Sequence, residues 1–251
     1  MTVVSVLGAK GGCGASLVAT NLGVFLASQD DTLMVDLSPG LGYGDLLLDL
    51  TSERSWADLL PVATELNDRH LDLTIANHSS GLRFLRAPER QLIEFDTEAL
   101  RSLLQALADQ FAWLVLDLPS GMDEIKRPSL SITDVVLLVS TADPPALRAA
   151  QRLMEASPGE LKEKTGLVLN QITRRHPAKP QQVAESLDLP LLAALPPDPR
   201  GVGYQVNFGR PCTLDERSTL GRAVNGLGRR LLSVIAQRDH STVGEGTSSS
   251  L

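Results

Sequence analysis

The sequence has little cysteine, a deficit of positive charge and no long apolar run. Its two cysteines, Cys13 and Cys212, are too few for a disulfide framework and do not form a CxxC metal pair. No apolar run approaches the ~18 residues that a membrane-spanning helix requires, so no transmembrane segment is expected. The first residues lack a basic segment followed by an apolar one, so we expect no signal peptide. These absences together predict a cytoplasmic protein.

The charge balance limits the classes of partner. Lys and Arg total 23 against 30 Asp and Glu, which gives a formal net charge of −7. This balance argues against a surface dedicated to nucleic acid. The basic run Arg174-Arg175-His176, with Lys179, is interpreted as a solvated loop rather than a phosphate or DNA contact. The four histidines show no metal-ligand spacing. We expect no nucleic-acid partner.

Short apolar runs alternate with helical segments along most of the chain. The runs are mostly continuous, as in strands that a parallel sheet buries on both faces. They cover residues 3–7, 33–37, 82–85, 113–118, 135–139, 167–169 and 191–195. Helical segments are predicted at residues 16–28, 97–109 (with Thr97 as the cap), 144–156, 181–187 and 218–237. This order predicts an α/β fold with a single doubly wound, mainly parallel β-sheet and helices on both faces.

The pattern divides the chain into one domain, residues 1–238, and a tail rich in Ser, Thr and Gly, residues 239–251, which we expect to be disordered. The last helix carries apolar residues at a spacing of three to four, with arginines among them. Such a helix could lie on a membrane surface, but closing the fold against the sheet requires a helix here, so we favour packing. Ligands of doubly wound sheets bind beyond the carboxyl ends of the strands, so the loops after strands are the candidate functional segments.

The loop after the first apolar run is rich in glycine. Residues 8–16 read GAKGGCGAS, with four glycines in the first seven positions. Such a loop between a strand and a helix points successive N–H groups at a phosphate, and the Ser16 hydroxyl can reach a magnesium ion. The alternative is a tight turn that holds no ligand. We favour a nucleotide-binding loop made of Lys10, Gly11, Gly12, Cys13, Gly14, Ala15 and Ser16.

The loop departs from the P-loop pattern GxxxxGK[ST]. Ala9 stands at the first glycine, and Ala15 stands where the lysine for the β- and γ-phosphates belongs. The early lysine of Lys-Gly-Gly-x-Gly, Lys10, makes the loop resemble the deviant P-loop of the MinD/ParA family. The resemblance implies that Lys10 reaches across a nucleotide-sandwich dimer to the phosphates of the second copy. It implies ATP and Mg²⁺ as cofactors and an ATP-dependent homodimer.

Further segments resemble the CpaE/TadZ branch of that family, which accompanies assembly of Flp-type (tight-adherence) pili. In order, they are a switch I region at 35–50, a strand at 81–90 similar to GLxxLxAPxR, a Walker B strand with switch II at 113–124, and the segments 168–170, 195–198 and 207–211. The resemblance implies membrane-associated pilus or secretion proteins as partners. It also implies recruitment to the inner face of the membrane through them.

Two strand ends carry carboxylates. Asp117 ends an apolar strand, where Walker B carboxylates hold magnesium through water, so Ser16 and Asp117 form the expected metal site. An Asp that caps a local turn is the alternative. Asp36 ends another strand and is expected near the metal shell, as a weak catalytic candidate alongside Lys10.

A third strand ends in an amide. The side chain of Asn170 can pair with the N6 and N7 edge of adenine, with the backbone of Pro196 and Asp198 flanking the base. An asparagine in an ordinary turn remains an open alternative.

Two substitutions weaken the expected hydrolysis. Ser38 stands two positions after Asp36, where the family usually has a second Asp that orients the attacking water, and serine cannot act as a carboxylate base. Ala15 removes a charge that would stabilise the γ-phosphoryl transition state. Each loss raises the activation barrier of hydrolysis by on the order of 3 kcal/mol. Binding of the nucleotide in its ground state through the loop N–H groups is less affected.

Two hypotheses of function follow. The first is a nucleotide-gated dimeric localisation or assembly factor of CpaE/TadZ type for pilus or secretion machinery, with weak or absent hydrolysis. The alternative is an active ATPase of the ParA/MinD class that positions cargo, septum or DNA. A redox dinucleotide enzyme is excluded because the loop lacks GxGxxG.

Overall fold

The structure is a computed structural model, and it describes residues 1–90, 96–120 and 123–245. One sheet has the strand order β3-β4-β2-β5-β1-β6-β7-β8. Neighbouring strands are parallel, except that β3 and β4 are antiparallel. The strands are β1 (Thr2–Gly8), β2 (Thr32–Asp36), β3 (Ala76–Asn77), β4 (Arg83–Leu85), β5 (Trp113–Leu118), β6 (Val135–Thr141), β7 (Thr165–Asn170) and β8 (Leu191–Ala194). The predicted fold class is confirmed.

Helices cover both faces of the sheet. They are α1 (Ala15–Ala27), α2 (Gly44–Leu47), α3 (Asp68–Asp72), α4 (Thr97–Ala108), α5 (Asp123–Ser131), α6 (Pro144–Glu155), α7 (Gly159–Glu163), α8 (Pro180–Ser186), α9 (Pro199–Phe208) and α10 (Thr219–Glu245). Two 3₁₀ segments, Trp56–Glu65 and Cys212–Leu214, complete the described elements. The five predicted helices correspond to α1, α4, α6, α8 and α10.

The strands are apolar throughout because each contributes to two cores. In β1, Val3 and Leu7 belong to the core under α4 and the segment Trp56–Glu65. Val4 and Val6 belong to the core under α1 and α10. Successive side chains of a strand point to opposite faces, so a sheet covered on both sides requires an unbroken apolar run.

The last helix packs against the sheet and α1. Its apolar residues Leu220, Val224, Leu227 and Leu231 are buried. A Cβ at Gly228 would lie 2.2 Å from the Phe25 ring, so the absence of a side chain there lets α10 approach α1 closely. Packing, the favoured use of this helix, is confirmed. Within the described residues, no helix is both long and apolar enough to cross a membrane.

Two helix ends differ from the sequence prediction. The cap of α4 is Asp96 rather than Thr97, because the Asp96 carboxylate accepts hydrogen bonds from the N–H groups of Glu98 and Ala99 at 2.8 and 3.2 Å. α10 continues to Glu245, into the segment 239–251 that we expected to be disordered. Residues 239–243 contain neither Gly nor Pro, so nothing local ends the helix there. Residues 246–251 lie outside the described residues.

Candidate nucleotide-binding site

Five loops at the carboxyl edge of the sheet line one cavity of about 920 Å³, a size typical of ligand sites. They follow β1, β2, β5, β7 and β8, as expected for a doubly wound sheet. The cavity brings together many of the residues singled out in the sequence, namely Lys10, Gly11, Gly12, Cys13, Gly14, Ala15, Ser16, Ser38, Asn170, Pro196 and Asp198. Two others, Asp36 and Asp117, are buried rather than exposed on its wall. Of the predicted switch II segment, residues 121 and 122 lie outside the described residues.

The glycine-rich loop has the backbone geometry of an anion site. Gly12 and Gly14 have φ values of 81° and 89°, in the left-handed region that glycine adopts without strain. Gly14 is the N-cap of α1, and among the described residues no side chain caps this helix. The first N–H groups of α1 are therefore available to a ligand, and the helix dipole favours a negative one.

Ser16 and Asp117 meet behind the loop. Asp117 is fully buried, and its carboxylate accepts a hydrogen bond from Ser16. Burial raises the pKa of Asp117 well above its usual value, the negative charge of Asp36 raises it further, and the Ser16 bond opposes both. Within the described residues, its Oδ2 atom has no hydrogen-bond partner.

This pair fits a magnesium ion. A buried carboxylate oxygen without a partner is costly, and a divalent cation would compensate it. Among the described residues no cluster of three or more His, Cys, Asp or Glu side chains could hold a metal. Magnesium at nucleotide sites uses one or two protein oxygens together with phosphates and water, so one hydroxyl and one carboxylate are sufficient.

Asp36 organises the loop that follows β2. Its carboxylate accepts hydrogen bonds from the N–H groups of Ser38 at 3.0 Å and Gly44 at 3.1 Å. Burial raises its pKa to about 6, and these two bonds partly oppose that rise. A Cβ at Gly42 would lie 2.6 Å from Asp36 Oδ2, so the loop can close over the carboxylate only with glycine there. Both carboxylate oxygens thus bond the chain's own loop, which leaves Asp36 poorly placed as a base.

Lys10 lies at the exposed side of the loop, near the turn between β6 and α6. The pKa of Asp143 in that turn is lowered chiefly by a hydrogen bond from the Thr141 hydroxyl, and the charge of Lys10 contributes to the shift. Lys10 itself is exposed. Its ammonium group can therefore reach a ligand or a second protein molecule.

Asn170 and Asp198 both make contacts that the sequence did not predict. The Asn170 amide Nδ2 donates to the Cys13 carbonyl at 2.9 Å, which ties β7 to the glycine-rich loop. Asp198 is the N-cap of α9 and accepts hydrogen bonds from Gly201 N–H at 2.9 Å and the Ser218 hydroxyl at 2.6 Å. Both residues line the cavity, but their polar side-chain atoms are engaged within the protein.

A buried amide next to the site was missed from the sequence. Gln205 of α9 is fully buried, accepts from Asn21 Nδ2 at 2.7 Å, and donates to Thr20 Oγ1 at 3.1 Å. It also donates to the Leu47 carbonyl at 3.4 Å, so one side chain joins α1 to α2. No local pattern signals this role, because the partners are far apart in sequence.

A deviant P-loop at the carboxyl edge of a parallel sheet defines a P-loop nucleotide-binding fold. The family model described as "Cellulose biosynthesis protein BcsQ" matches residues 1–173. A septum site-determining protein MinD from Synechocystis is 26% identical over 239 residues, which cover 91% of this chain and 88% of that protein. The chain belongs to the family that the BcsQ model describes, within the wider MinD/ParA family.

Solved structures share the fold. A ParA family ATPase from Chlorobium tepidum superposes with a TM-score of 0.83 at 21% identity, covering 92% of this chain and 98% of that one. The MinC:MinD cell division complex of Aquifex aeolicus superposes with a TM-score of 0.81 at 21% identity, covering 93% of this chain and 96% of that one. MinD from Pyrococcus horikoshii, complexed with Mg-ADP, superposes with a TM-score of 0.77 at 21% identity, covering 92% of this chain and 95% of that one. Placement in the CpaE/TadZ branch stays a prediction.

Proposed function

We propose that the chain binds Mg-ATP in the cavity at the glycine-rich loop and dimerises in response. The observation that carries this proposal is the buried Asp117 carboxylate, whose Oδ2 has no partner among the described residues and lies behind the loop at Ser16. Ser16 and Asp117 would hold a magnesium ion, which would supply positive charge to the phosphates that the loop N–H groups bind. The Mg-ADP in the structurally similar MinD of Pyrococcus horikoshii supports the choice of ligand.

Lys10 supports a dimer as the nucleotide-bound state. The lysine is exposed at the mouth of the cavity rather than buried beneath the phosphates, and Ala15 leaves the usual lysine position empty. A lysine from a second copy would make a charge-assisted contact to phosphate only in the dimer. ATP would thus serve as the switch between monomer and dimer.

Slow turnover accompanies this binding. Ala15 carries no charge, Ser38 cannot act as a carboxylate base, and the Asp36 carboxylate is bonded to Ser38 and Gly44. These features favour a nucleotide-gated localisation or assembly factor of CpaE/TadZ type, recruited to the inner face of the membrane by pilus or secretion proteins. The MinC:MinD complex supports the general idea that such a fold acts through partner proteins.

An active ATPase of the ParA/MinD class is the second candidate. The observation in its favour is the match to MinD over 91% of this chain, together with the exposed early lysine. Lys10 supplied across a dimer would restore part of the charge that Ala15 lacks.

Calorimetric titration with Mg-ATP tests the binding site. A Cβ at Gly14 would lie 2.4 Å from Asn170 Nδ2, and its φ of 89° disfavours any side chain, so Gly14→Val should abolish binding. Gly226→Val in α10 is the matched control, since a Cβ there meets nothing within 4 Å. It should leave binding unchanged. Absence of binding by the unmodified protein at millimolar ATP would reject the proposal.

A further inference from the structure

Helix α9 buries a polar side chain and exposes apolar ones, the reverse of the usual arrangement in a surface helix. Gln205 is fully buried, whereas Tyr204, Val206 and Phe208 are 45%, 56% and 62% exposed. Four hydrogen bonds satisfy the Gln205 amide, so its burial is stable. Large apolar side chains that are exposed together on one surface mark an interaction site.

A second apolar stretch lies against α9. In the loop after β2 and in α2, Leu41, Tyr43 and Leu46 are 71%, 51% and 66% exposed. Gln205 donates a hydrogen bond to the Leu47 carbonyl, which holds α2 against α9. We call the combined surface the apolar patch, and its residues are Leu41, Tyr43, Leu46, Tyr204, Val206 and Phe208. It contains most of the large apolar side chains that are exposed in the described part of the chain.

The apolar patch is continuous with the mouth of the nucleotide cavity. Leu41, Tyr43 and Val206 line this cavity, and so does Lys10, which is also exposed. A second copy that brings its own lysine to the phosphates must approach the same mouth. The apolar patch would therefore be covered in the step that brings the two copies together.

The charges beside the apolar patch fit a second copy of the same chain. A hollow of about 810 Å³ adjoins Phe208, and its wall carries Arg200, Arg210, Asp49 and Asp215, all exposed. A surface with charges of both signs can pair with itself across a two-fold axis, where each basic group meets an acidic one. The two aspartates disfavour an anionic lipid surface as the occupant.

We propose that the apolar patch is the surface through which a second copy of the chain packs in the nucleotide-bound state. This inference rests on the proposed ATP-dependent dimer and assigns its apolar contact. Apolar side chains at the centre of an interface supply most of its binding energy. Lys10 would make association depend on phosphate, and the apolar patch would make it strong.

The first test removes apolar area that does not line the nucleotide cavity. Leu46→Ser combined with Phe208→Ser should weaken ATP-induced dimerisation at least about tenfold in light scattering, because both side chains lose their contact with the second copy. Both residues are exposed in the monomer, which should bind Mg-ATP as the unmodified protein does. Leu73→Ser in α3, a residue 52% exposed outside the apolar patch, is the matched control and should dimerise normally. Unchanged dimerisation of the double variant, or an equal loss of nucleotide binding, would overturn the inference.

The second test leaves the apolar patch intact. Asn207→Cys places a thiol at an exposed position of α9, while both natural thiols are 1% exposed and should react slowly with a maleimide. With saturating Mg-ATP and protein concentrated enough to dimerise, modification of the new thiol should slow at least about tenfold. Dilution to monomer at the same Mg-ATP concentration should restore the rate. Leu73→Cys should react equally fast in both conditions.

The outcomes distinguish this inference from the proposed function. Slowing that does not depend on protein concentration would show that the nucleotide or the chain itself covers the apolar patch, and would overturn the inference. Slowing by vesicles of phosphatidylcholine and phosphatidylglycerol without ATP would assign the apolar patch to lipid and overturn it as well. An ATP-dependent dimer in which Asn207→Cys stays fully reactive would overturn it while the proposed function stands. If Mg-ATP neither binds the unmodified protein nor changes its mass, both are rejected.

Discussion

Two glycine-containing loops lie at the carboxyl edge of the sheet, after the two strands that flank β5, and they use their N–H groups in opposite ways. The loop after β1 leaves the N–H groups at the start of α1 without a side-chain cap in the described chain. The loop after β2 turns the N–H groups of Ser38 and Gly44 inward to the Asp36 carboxylate. The N–H groups of the first loop are placed for an anion, whereas those of the second bond to a carboxylate of the chain itself. We therefore expect binding and hydrolysis of a nucleotide to be separable at the proposed site.

The largest expected effect tests the binding side of the comparison. Asp117→Asn keeps the shape of the side chain but removes the charge for magnesium, so affinity for Mg-ATP should fall by on the order of a hundredfold, ~2.7 kcal/mol. The nucleotide-free protein should melt no lower than the unmodified one, because burying the carboxylate is itself costly. Calorimetry with and without magnesium checks the affinity. Equal losses in both conditions would contradict the metal role.

The next effect tests the hydrolysis side. If Ala15 and Ser38 limit turnover, Ala15→Lys combined with Ser38→Asp should raise steady-state phosphate release at least about tenfold. The gain should exceed the product of the single changes, because both groups act on one transition state. Asp117→Ala provides the blank for contaminating ATPase. Family-typical turnover in the unmodified protein, lost in the blank, would favour the active ATPase instead.

A smaller effect concerns Lys10, which belongs to the first loop but would act on a second copy. Lys10→Ala should weaken ATP-induced dimerisation about tenfold, as expected for loss of one charge-assisted contact, and keep nucleotide binding by the monomer. Light scattering with and without ATP measures this. Lys179→Ala, another exposed lysine, should dimerise normally. A dimer whose formation depends on neither ATP nor Lys10 would count against a dimer that encloses the nucleotide between its two copies.

The smallest expected effect comes from substituting one glycine in each of the two loops. Gly42→Ala places a Cβ 2.6 Å from Asp36 Oδ2, and the loop after β2 must shift, at a cost of about 1 kcal/mol. The melting temperature should fall by roughly 2–4 °C. Gly11→Ala in the first loop meets nothing within 4 Å and should melt as the unmodified protein does. Equal melting temperatures of the two variants would show that Asp36 does not organise the loop after β2.

The sequence predicts what is encoded locally. Each predicted strand is present because an unbroken apolar run has few alternatives in a parallel sheet. The segment Trp56–Glu65 was missed, since Pro61 and mixed polarity obscure its period, although Trp56 is fully buried and donates to the Asp36 carbonyl at 2.9 Å. The glycine-rich loop and the strand-end carboxylates are likewise local features.

Contacts between distant segments were not predictable. Asn170 meets Cys13 across 157 residues of sequence, and Gln205 meets Asn21 across 184. An asparagine at a strand end is compatible with a turn, a base contact or a loop anchor, and only the folded chain distinguishes among them. Asn170 was correctly predicted at the end of a strand, whereas the helix that carries Gln205, α9, was not predicted, and the bonds of both residues depend on the tertiary fold.

The borders of the sheet determine how this protein can associate. At one border β3 has only two residues and runs antiparallel to β4. At the other, the Leu192 carbonyl of β8 accepts a hydrogen bond from Arg230 Nη1 of α10 at 3.2 Å. A long unpaired edge strand would pair with a strand of another molecule, and repeated pairing of this kind would produce fibres. These borders are poor templates, so we expect the proposed dimer and any partner complex to form through helices and loops, whose contacts a bound nucleotide can make or break.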